Sequence, residues 1–282
     1  MTHPAALRPR PDDPEYDFAA LTDKIARECD FRCSSYKDRC LRRRIAVRMR
    51  ARGVHTYHDY MRLLDADPRE YDLLLDALTI NVTKFFRNWD AFDAIGQHVV
   101  PELWTRPDTV LRVWSAGCAS GEEPYSLAVL VHRYLARHGQ LHRMGRVAIH
   151  GTDIDRTSLA AAERACYPEA AFTDTPPELR QAYFSASDPA TVDPAVKRLV
   201  RFARRDLLTD RPPEPVLHLI VCRNVLIYFD RHAQEELLGR FYGALAPGGF
   251  LVLGKVETLL GAARARFTTV RPAERIFRKP AP

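Results

Sequence analysis

The 282-residue sequence shows no long apolar run, no pattern of a secretory leader and no internal repeat. No stretch approaches the roughly 20 apolar residues that a membrane-spanning helix needs. The first residues, MTHPAALRPRPDDP, lack the apolar centre of a signal peptide and instead carry prolines and charges. We therefore expect a cytoplasmic protein without membrane insertion, whose residues 1–14 form a disordered lead.

Disulfide and metal patterns are also missing among the six cysteines. Three cysteines stand alone in or beside apolar stretches, as reduced intracellular cysteines do. The other three, Cys29, Cys33 and Cys40, are closer together, but their spacing does not match the paired short knuckles of a zinc site. We predict no metal centre and assign these side chains to packing.

Positive charge is concentrated in one segment, residues 37–52. The chain has a net charge of +6, and this segment holds eight basic residues against one acid, Asp38. Leu41 and Ile45 lie at helical spacing within it, and Gly53 follows as a helix terminator. The segment is either a solvated helix face or a surface for an acidic partner: nucleic acid, anionic lipid or protein.

The pattern of the sequence changes near residue 90. Residues 15–90 predict an all-α domain, and residues 91–282 alternate short β-rich runs with helical patterns, which indicates a parallel sheet covered by helices. Four helices are predicted in the first part: Tyr16–Cys29, Tyr36–Arg52, Tyr57–Leu64 and Pro68–Leu78. The second part predicts strands at Val110–Trp114, Val147–His150, Leu217–Cys222 and Phe250–Leu253, helices after the first three, and a final hairpin over 267–277. Residues 168–205 are too many for a simple connection and predict an inserted β subdomain.

The loop SAGCASGEE follows the first predicted strand. It has neither the GxGxxG spacing of a dinucleotide fingerprint nor the lysine of a phosphate loop. Glu122 and Glu123 would repel a pyrophosphate and attract a cation, which favours S-adenosylmethionine over a nucleotide. Ordinary acidic residues at a helix start remain the alternative.

A second acidic loop, GTDID, follows the next strand. An acidic residue at this place commonly accepts hydrogen bonds from ribose hydroxyls, and Asp153 is the candidate. Asp155 is expected to cap the next helix.

Several long motifs in fixed order resemble the CheR family of chemotaxis-receptor protein-glutamate O-methyltransferases. The motifs are NVTKFFRN (81–88), VWSAGCASGEEPYSLA (113–128), GTDID (151–155), CRNVLIYFD (222–230) and LAPGGFLVLG (245–254). The resemblance implies a class I Rossmann-like, S-adenosylmethionine-dependent α/β domain, an N-terminal helical domain and a small β subdomain. The family often has GHSE where this chain has GKVE at 254–257.

The same resemblance implies site residues. Asn81, Thr83 and Arg87 would approach the cofactor from the domain junction. Glu123 would contact the amino-acid or ribose portion of the cofactor, and Asp153 would contact its ribose. The adenine would be flanked by Asp206 and Leu207, although the family commonly has asparagine at the first position. Asn224 and Val225 would line the pocket floor, and Arg87 and Tyr228 would lie nearest the methyl acceptor.

The chemistry of a glutamate acceptor agrees with these residues. A carboxylate is already an anionic nucleophile at neutral pH, so methylation needs positioning and a dry site rather than a general base. Arg87 would hold the acceptor and Tyr228 orient it, unless they are an ordinary surface arginine and buried tyrosine. The third loop, RNVLIY, lacks the Asp/Asn-Pro-Pro-aromatic tetrad of amino-group methylases.

The expected partner is the cytoplasmic helical bundle of a chemotaxis receptor, bound through the basic helix 37–52 of a monomeric enzyme. Nucleic acid is disfavoured because no aromatic side chain lies among the basic residues between Lys37 and Arg52. A non-catalytic scaffold with the same fold is the other alternative. The expected function is receptor methylation during chemotactic adaptation.

Overall fold

A computed structural model describes residues 14–29, 31–79, 82–106 and 110–281. The predicted disordered lead, apart from residue 14, and the candidate Asn81 lie outside these residues. The chain forms two compact units, Met1–Ile80 and Asn81–Pro282. None of the helices in the described ranges is long and apolar enough to span a membrane.

The first unit is helical, as the sequence predicted. Its helices are α1 (Pro14–Cys29), α2 (Asp38–Ala51), α3 (Tyr57–Ala66) and α4 (Arg69–Leu78), with a 3₁₀ turn at Cys33–Ser35. Apolar residues at helical spacing form the core, where Ile25, Ile45, Leu64 and Leu74 are fully buried. Thr56 begins α3 by accepting a hydrogen bond from the Asp59 amide (3.1 Å).

The second unit is built around a mostly parallel sheet. Its strands are β1 (Leu111–Ala116), β2 (Val147–Asp153), β3 (Cys166–Tyr167), β4 (Ala190–Thr191), β5 (Val200–Arg204), β6 (Leu217–Cys222), β7 (Leu245–Leu253), β8 (Thr268–Arg271) and β9 (Ile276–Arg278). The seven-stranded sheet has the order β5-β2-β1-β6-β7-β9-β8. Strands β5, β2, β1, β6 and β7 are parallel, and β9 is antiparallel to both β7 and β8. The predicted strands and the final hairpin are confirmed.

Helices connect and cover the strands. They are α5 (Trp89–Ala94), α6 (Val100–Trp104), α7 (Glu122–Arg137), α8 (Arg156–Arg164), α9 (Pro177–Tyr183), α10 (Pro194–Lys197), α11 (Arg231–Ala244) and α12 (Ala263–Arg266), and a π-helical stretch, Ile95–Val99, joins α5 to α6. Residues on α7 such as Tyr125 and Leu127 are buried against the apolar side chains of the sheet.

Two details differ from the sequence prediction. The insertion at 168–205 contains short strands but also α9, α10 and a 3₁₀ turn, which were not predicted. Its strand β4 pairs with β3 just before the insertion, and Phe184 forms an antiparallel bridge with Val192. Strand β5 leaves the insertion and forms the edge of the main sheet. The units also divide at residue 80 rather than 90, because Phe85 and Phe86 are fully buried in the core of the second unit.

The order of the strands fixes where a ligand can bind. The chain begins the sheet at β1, extends it to one side through β2 and then continues on the other side with β6. In such a sheet the crevice lies beyond the carboxyl ends of the strands at this switch. The loops that follow β1, β2, β6 and β7 therefore meet at one edge.

Candidate active site

The loop after β1 makes a tight turn at Gly117. Its φ is +80°, and a Cβ there would lie 2.5 Å from Cγ2 of Val225, so a side chain does not fit. The amides of Gly117 and Cys118 donate to the Thr152 carbonyl (2.8 and 3.0 Å). The turn thus lies directly against the end of β2 and against the loop after β6.

Asp153 ends β2 and holds this turn. Its Oδ2 accepts a hydrogen bond from the Ala119 amide (2.8 Å), and its Oδ1 accepts one from the Asp155 amide (3.0 Å). Burial raises the pKa of Asp153, although the backbone donors oppose the rise. Asp155 accepts from the amides of Thr157 and Ser158 (2.8 and 3.1 Å), so the predicted cap of α8 is confirmed.

The two glutamates that begin α7 have different environments. Glu122 is buried and accepts from the Ser120 hydroxyl at both oxygens (3.0 and 2.8 Å), and burial raises its pKa to about 7. Glu123 accepts from the Ser115 hydroxyl (2.8 Å), with its other oxygen 3.7 Å from Nη1 of Arg223. Among the described residues, Glu123 has a cation beside it, Arg223, whereas Glu122 forms no ion pair. The sequence had predicted that both glutamates would attract a cation.

Arg223, for which the sequence predicted no role, links several parts of the site. It is 6% exposed, and its Nη2 donates to the Arg87 carbonyl (2.8 Å) and to Oδ1 of Asn88 (3.1 Å). Its Nε is buried and has no hydrogen-bond partner among the described residues. The signal was present in the sequence, since Arg223 is the second residue of the CRN motif.

The segment 82–88 carries Arg87 to this edge of the sheet. Nη1 of Arg87 donates to the Val82 carbonyl (2.7 Å), and Thr83 is half-buried in the same segment. Lys84 forms an ion pair with Asp174 (2.7 Å), which anchors the segment to the insertion. Within the described part of the chain, Arg87 itself forms no ion pair. Its guanidinium therefore retains donors for a further anion.

A buried carboxylate, Glu257, fixes the loop after β6. It accepts hydrogen bonds from the amides of Gly254 (2.6 Å), Asn224 (3.0 Å) and Val225 (2.9 Å). A Cβ at Gly254 would lie 2.6 Å from Oε2 of Glu257, so only glycine allows this approach. Burial raises the pKa of Glu257, while the backbone donors oppose the rise. The departure GKVE thus keeps the glycine and the glutamate that hold the loop.

Asn224 is held at this site in a strained conformation. Its φ is +61°, and its Oδ1 is buried without a hydrogen-bond partner in the described part of the chain. Such an acceptor is costly unless a ligand or water satisfies it. Tyr228 closes the same loop, half-buried at the end of the 3₁₀ turn Leu226–Tyr228.

Asp206 and Leu207 follow β5 at its carboxyl end. Oδ1 of Asp206 accepts from the Leu208 amide (2.8 Å), which makes a local turn, and Leu207 is 8% exposed. The predicted residues 83, 87, 123, 153, 206, 207, 224, 225 and 228 thus all lie on segments at one end of the sheet.

Comparison with known proteins identifies the family. The model of the CheR methyltransferase all-alpha domain matches residues 16–79, and that of the CheR methyltransferase SAM-binding domain matches residues 81–275. The chain belongs to the CheR methyltransferase family. It is 34% identical to the chemotaxis protein methyltransferase of Listeria innocua over 89% of this chain and 93% of that protein. It is 32% identical to chemotaxis protein methyltransferase 1 of Pseudomonas aeruginosa, over 86% and 90%.

Family membership makes the protein an S-adenosylmethionine-dependent methyltransferase. The site fits this cofactor: Asp153 offers carboxylate oxygens, Asn224 an unsatisfied buried acceptor, and Gly117 a close approach of the backbone. Glu123 adds a negative charge suited to a cationic ligand. When bound, S-adenosylmethionine supplies a methyl group activated by a sulfonium.

The basic segment 37–52, most of which is α2, contains two kinds of arginine. Arg48 binds both oxygens of the fully buried Glu70 (2.9 and 2.8 Å), Arg52 adds a third bond (2.8 Å), and the Tyr60 hydroxyl a fourth (2.9 Å). Arg44 donates to the carbonyls at the end of α4. Arg39, Arg43 and Arg50 are exposed. Only part of the charge run is therefore available to a partner.

Proposed function

We propose that this enzyme transfers the methyl group to a glutamate side chain of a chemotaxis receptor and forms a γ-methyl ester. The supporting observation is Arg87, a half-buried guanidinium at the carboxyl end of the sheet with no ion pair among the described residues. An arginine can bind a carboxylate through two parallel charge-assisted hydrogen bonds. The names of the relatives, chemotaxis protein methyltransferases, support the same protein class as substrate.

The residues around Arg87 suit an acceptor that is already ionised. Arg223 donates to the Arg87 carbonyl and lies beside Glu123, so it holds the backbone of Arg87 in place. The acceptor carboxylate needs no proton removed at neutral pH, and Arg87 would hold it while the Tyr228 hydroxyl orients it. The chain thus contributes positioning and exclusion of water rather than a general base.

The remaining candidates would hold the cofactor. We assign Asp153 to the ribose, Glu123 to the amino-acid or ribose portion, and Asp206 with Leu207 to the adenine. Asn224 and Val225 form the floor, and Thr83 and Asn81 belong to the segment of Arg87. Supporting this, Asp153, Asn224 and Val225 are fixed by backbone hydrogen bonds at the same edge of the sheet.

The partner surface is proposed to be the exposed part of α2. Arg39 and Arg43 are four residues apart and therefore share a helix face, with Arg50 two turns further along. Such a row of cations suits the acidic face of a receptor's helical bundle. In this proposal the enzyme acts as a monomer on the cytoplasmic part of the receptor.

The experiment uses the purified cytoplasmic fragment of a methyl-accepting chemotaxis protein and cofactor labelled in the methyl group. After transfer the pH is raised and volatile methanol is collected, because hydroxide attacks an ester carbonyl but leaves N-methyl groups intact. We expect most of the label to be released. Arg87→Ala should lower the rate of transfer by tenfold or more, since a charge-assisted hydrogen bond contributes about 1.5–3 kcal/mol.

Two variants serve as controls for this experiment. Tyr228→Phe should lower the transfer rate more than cofactor binding, whereas Asp153→Ala should weaken cofactor binding measured by calorimetry. Label that stays on the fragment through base treatment would contradict the glutamate assignment without affecting the family.

A further inference from the structure

Two valines of the second unit are unusually exposed. Val82 is 73% exposed and Val256 is 74% exposed, while the other exposed large apolar residues described in this unit, Leu141, Val216 and Val270, are between 39% and 45% exposed. Scattered exposed apolar side chains need no explanation, but these two lie on the segments that carry Arg87 and Glu257. Their position therefore has to be considered together with the site.

Three hydrogen bonds, joined through neighbouring residues of the chain, link the segments that carry the two valines. Arg87 donates to the Val82 carbonyl (2.7 Å), and Arg223 donates to the Arg87 carbonyl (2.8 Å). The next residue after Arg223, Asn224, donates its amide to Glu257, the neighbour of Val256 (3.0 Å). The Val82 backbone is thus fixed by the acceptor residue Arg87, and the turn of Val256 is fixed through Glu257 to the neighbouring loop after β6.

The turn that presents Val256 is rigid and carries a cation. Glu257 binds the Gly254 amide (2.6 Å), and Nε of Arg275 donates to the Lys255 carbonyl (3.2 Å), so the backbone is held on both sides of Lys255. The Lys255 side chain is exposed and forms no ion pair within the described residues. Lys255 and Val256 are also the two positions at which this chain departs from the GHSE pattern.

We propose that Val82, Lys255 and Val256 form a recognition rim that contacts the acceptor segment of the protein substrate beside the methylated glutamate. The valines pack on apolar side chains of that segment, and Lys255 pairs with a second carboxylate in it. Charge complementarity supports this occupant, because Arg87 and Lys255 are both unpaired cations among the described residues at this edge. The inference rests on the proposed function and names its substrate as a segment with paired acidic and apolar residues.

The test measures methanol release with the receptor fragment at increasing concentration. Val82→Ser with Val256→Ser should raise the KM for the fragment at least tenfold, which corresponds to about 1.4 kcal/mol, because both apolar contacts with the acceptor segment are lost. Lys255→Glu should raise it about three- to tenfold, with a dependence on salt. We expect kcat and cofactor affinity to stay within about twofold, since no altered side chain is assigned to the cofactor.

Matched controls separate the rim from general surface effects. Val270→Ser and Arg264→Glu change exposed residues of the same unit on β8 and α12, and should leave the KM unchanged. Val256→Leu should retain the low KM, because it keeps an apolar side chain. A fragment in which the second acidic residue is replaced by lysine should restore binding to Lys255→Glu.

The outcomes distinguish the two proposals. If the unaltered enzyme forms the alkali-labile ester and the rim variants keep its KM, the rim assignment is wrong and the glutamate assignment stands. If the rim and control variants raise the KM equally, the rim assignment is also wrong. If no ester forms with the unaltered enzyme, the proposed function fails and the rim assignment fails with it.

Discussion

Two clusters, one in each unit and each pairing an arginine with a buried glutamate, satisfy their hydrogen bonds differently. In the helical unit Arg48 meets Glu70, whose two oxygens accept four hydrogen bonds from Arg48, Arg52 and Tyr60. In the second unit Arg223 stands 3.7 Å from Glu123, and its Nε has no partner in the described part of the chain. The first cluster is complete without any ligand, whereas the second leaves polar atoms unsatisfied.

This difference distinguishes a structural charge cluster from a binding site. A buried carboxylate is stable when each of its lone pairs has a donor, as Glu70 has. Burial alone would raise the pKa of Glu70, but the hydrogen bonds from Arg48 and Tyr60 lower it on balance. Burial raises the pKa of Glu123, because Arg223 and the more distant Arg87 do not offset the loss of solvent. We therefore expect a bound ligand to complete this second cluster.

The largest expected effect comes from breaking the complete cluster. Arg48→Glu would place a second carboxylate beside the fully buried Glu70 and should lower the free energy of unfolding of the helical unit by about 3–5 kcal/mol. Urea unfolding followed by circular dichroism of the full chain measures this loss, and hydrogen exchange of α2 and α4 locates it. An Arg48→Glu variant as stable as the unaltered chain would show that the cluster is not structural.

A smaller effect on the free energy of unfolding is expected at Glu122. This buried carboxyl group has no cation beside it among the described residues, so protonation neutralises its charge. Because burial raises its pKa from 4.5 to about 7, the folded state binds more protons than the unfolded state between these values. The free energy of unfolding should therefore fall as the pH rises through this window, by up to about 3 kcal/mol.

Urea unfolding at pH 5 and pH 8 tests this sign. Glu122→Gln removes the titration, so its stability should decline less between the two pH values than that of the unaltered chain. Glu163→Gln, at an exposed position on α8, provides the control and should leave the decline unchanged. Parallel pH profiles for Glu122→Gln and the unaltered chain would be inconsistent with a buried, proton-binding Glu122.

The sequence predicted most elements because apolar periodicity decides them. The strand Leu217–Cys222 has the predicted bounds, and the parallel order of the strands brings Glu123, Asp153 and Asn224 to one edge. The helices of the insertion were not predicted, and neither was the sheet that β5 joins, because a strand of five residues does not reveal its partner strand.

The roles of Glu257 and Arg223 at the site were not predicted, because their hydrogen-bond partners are distant along the chain. Glu257 and Arg223 act mainly on backbone groups, which leave no signal in the side chains of their partners. The arginines of α2 look alike in the sequence, yet Arg48 faces Glu70 and Arg43 is exposed. Only the fold distinguishes them, because the difference depends on where α4 places one glutamate.

The smallest effect on stability is expected from the exposed arginines of α2. Reversing Arg39, Arg43 and Arg50 to glutamate should change the free energy of unfolding by less than about 0.5 kcal/mol at each site, because exposed substitutions away from packed features cost little. The KM for the receptor fragment should nevertheless rise, since these charges face the proposed acidic partner. Cofactor affinity should not change.

Added salt tests whether this effect on the KM is electrostatic. It should reduce the difference in KM between the variant and the unaltered enzyme, because exposed charges are screened over about 8 Å at physiological ionic strength. A KM that does not change with the reversal or with salt would mean that this face of α2 is only solvated, and that the receptor binds elsewhere.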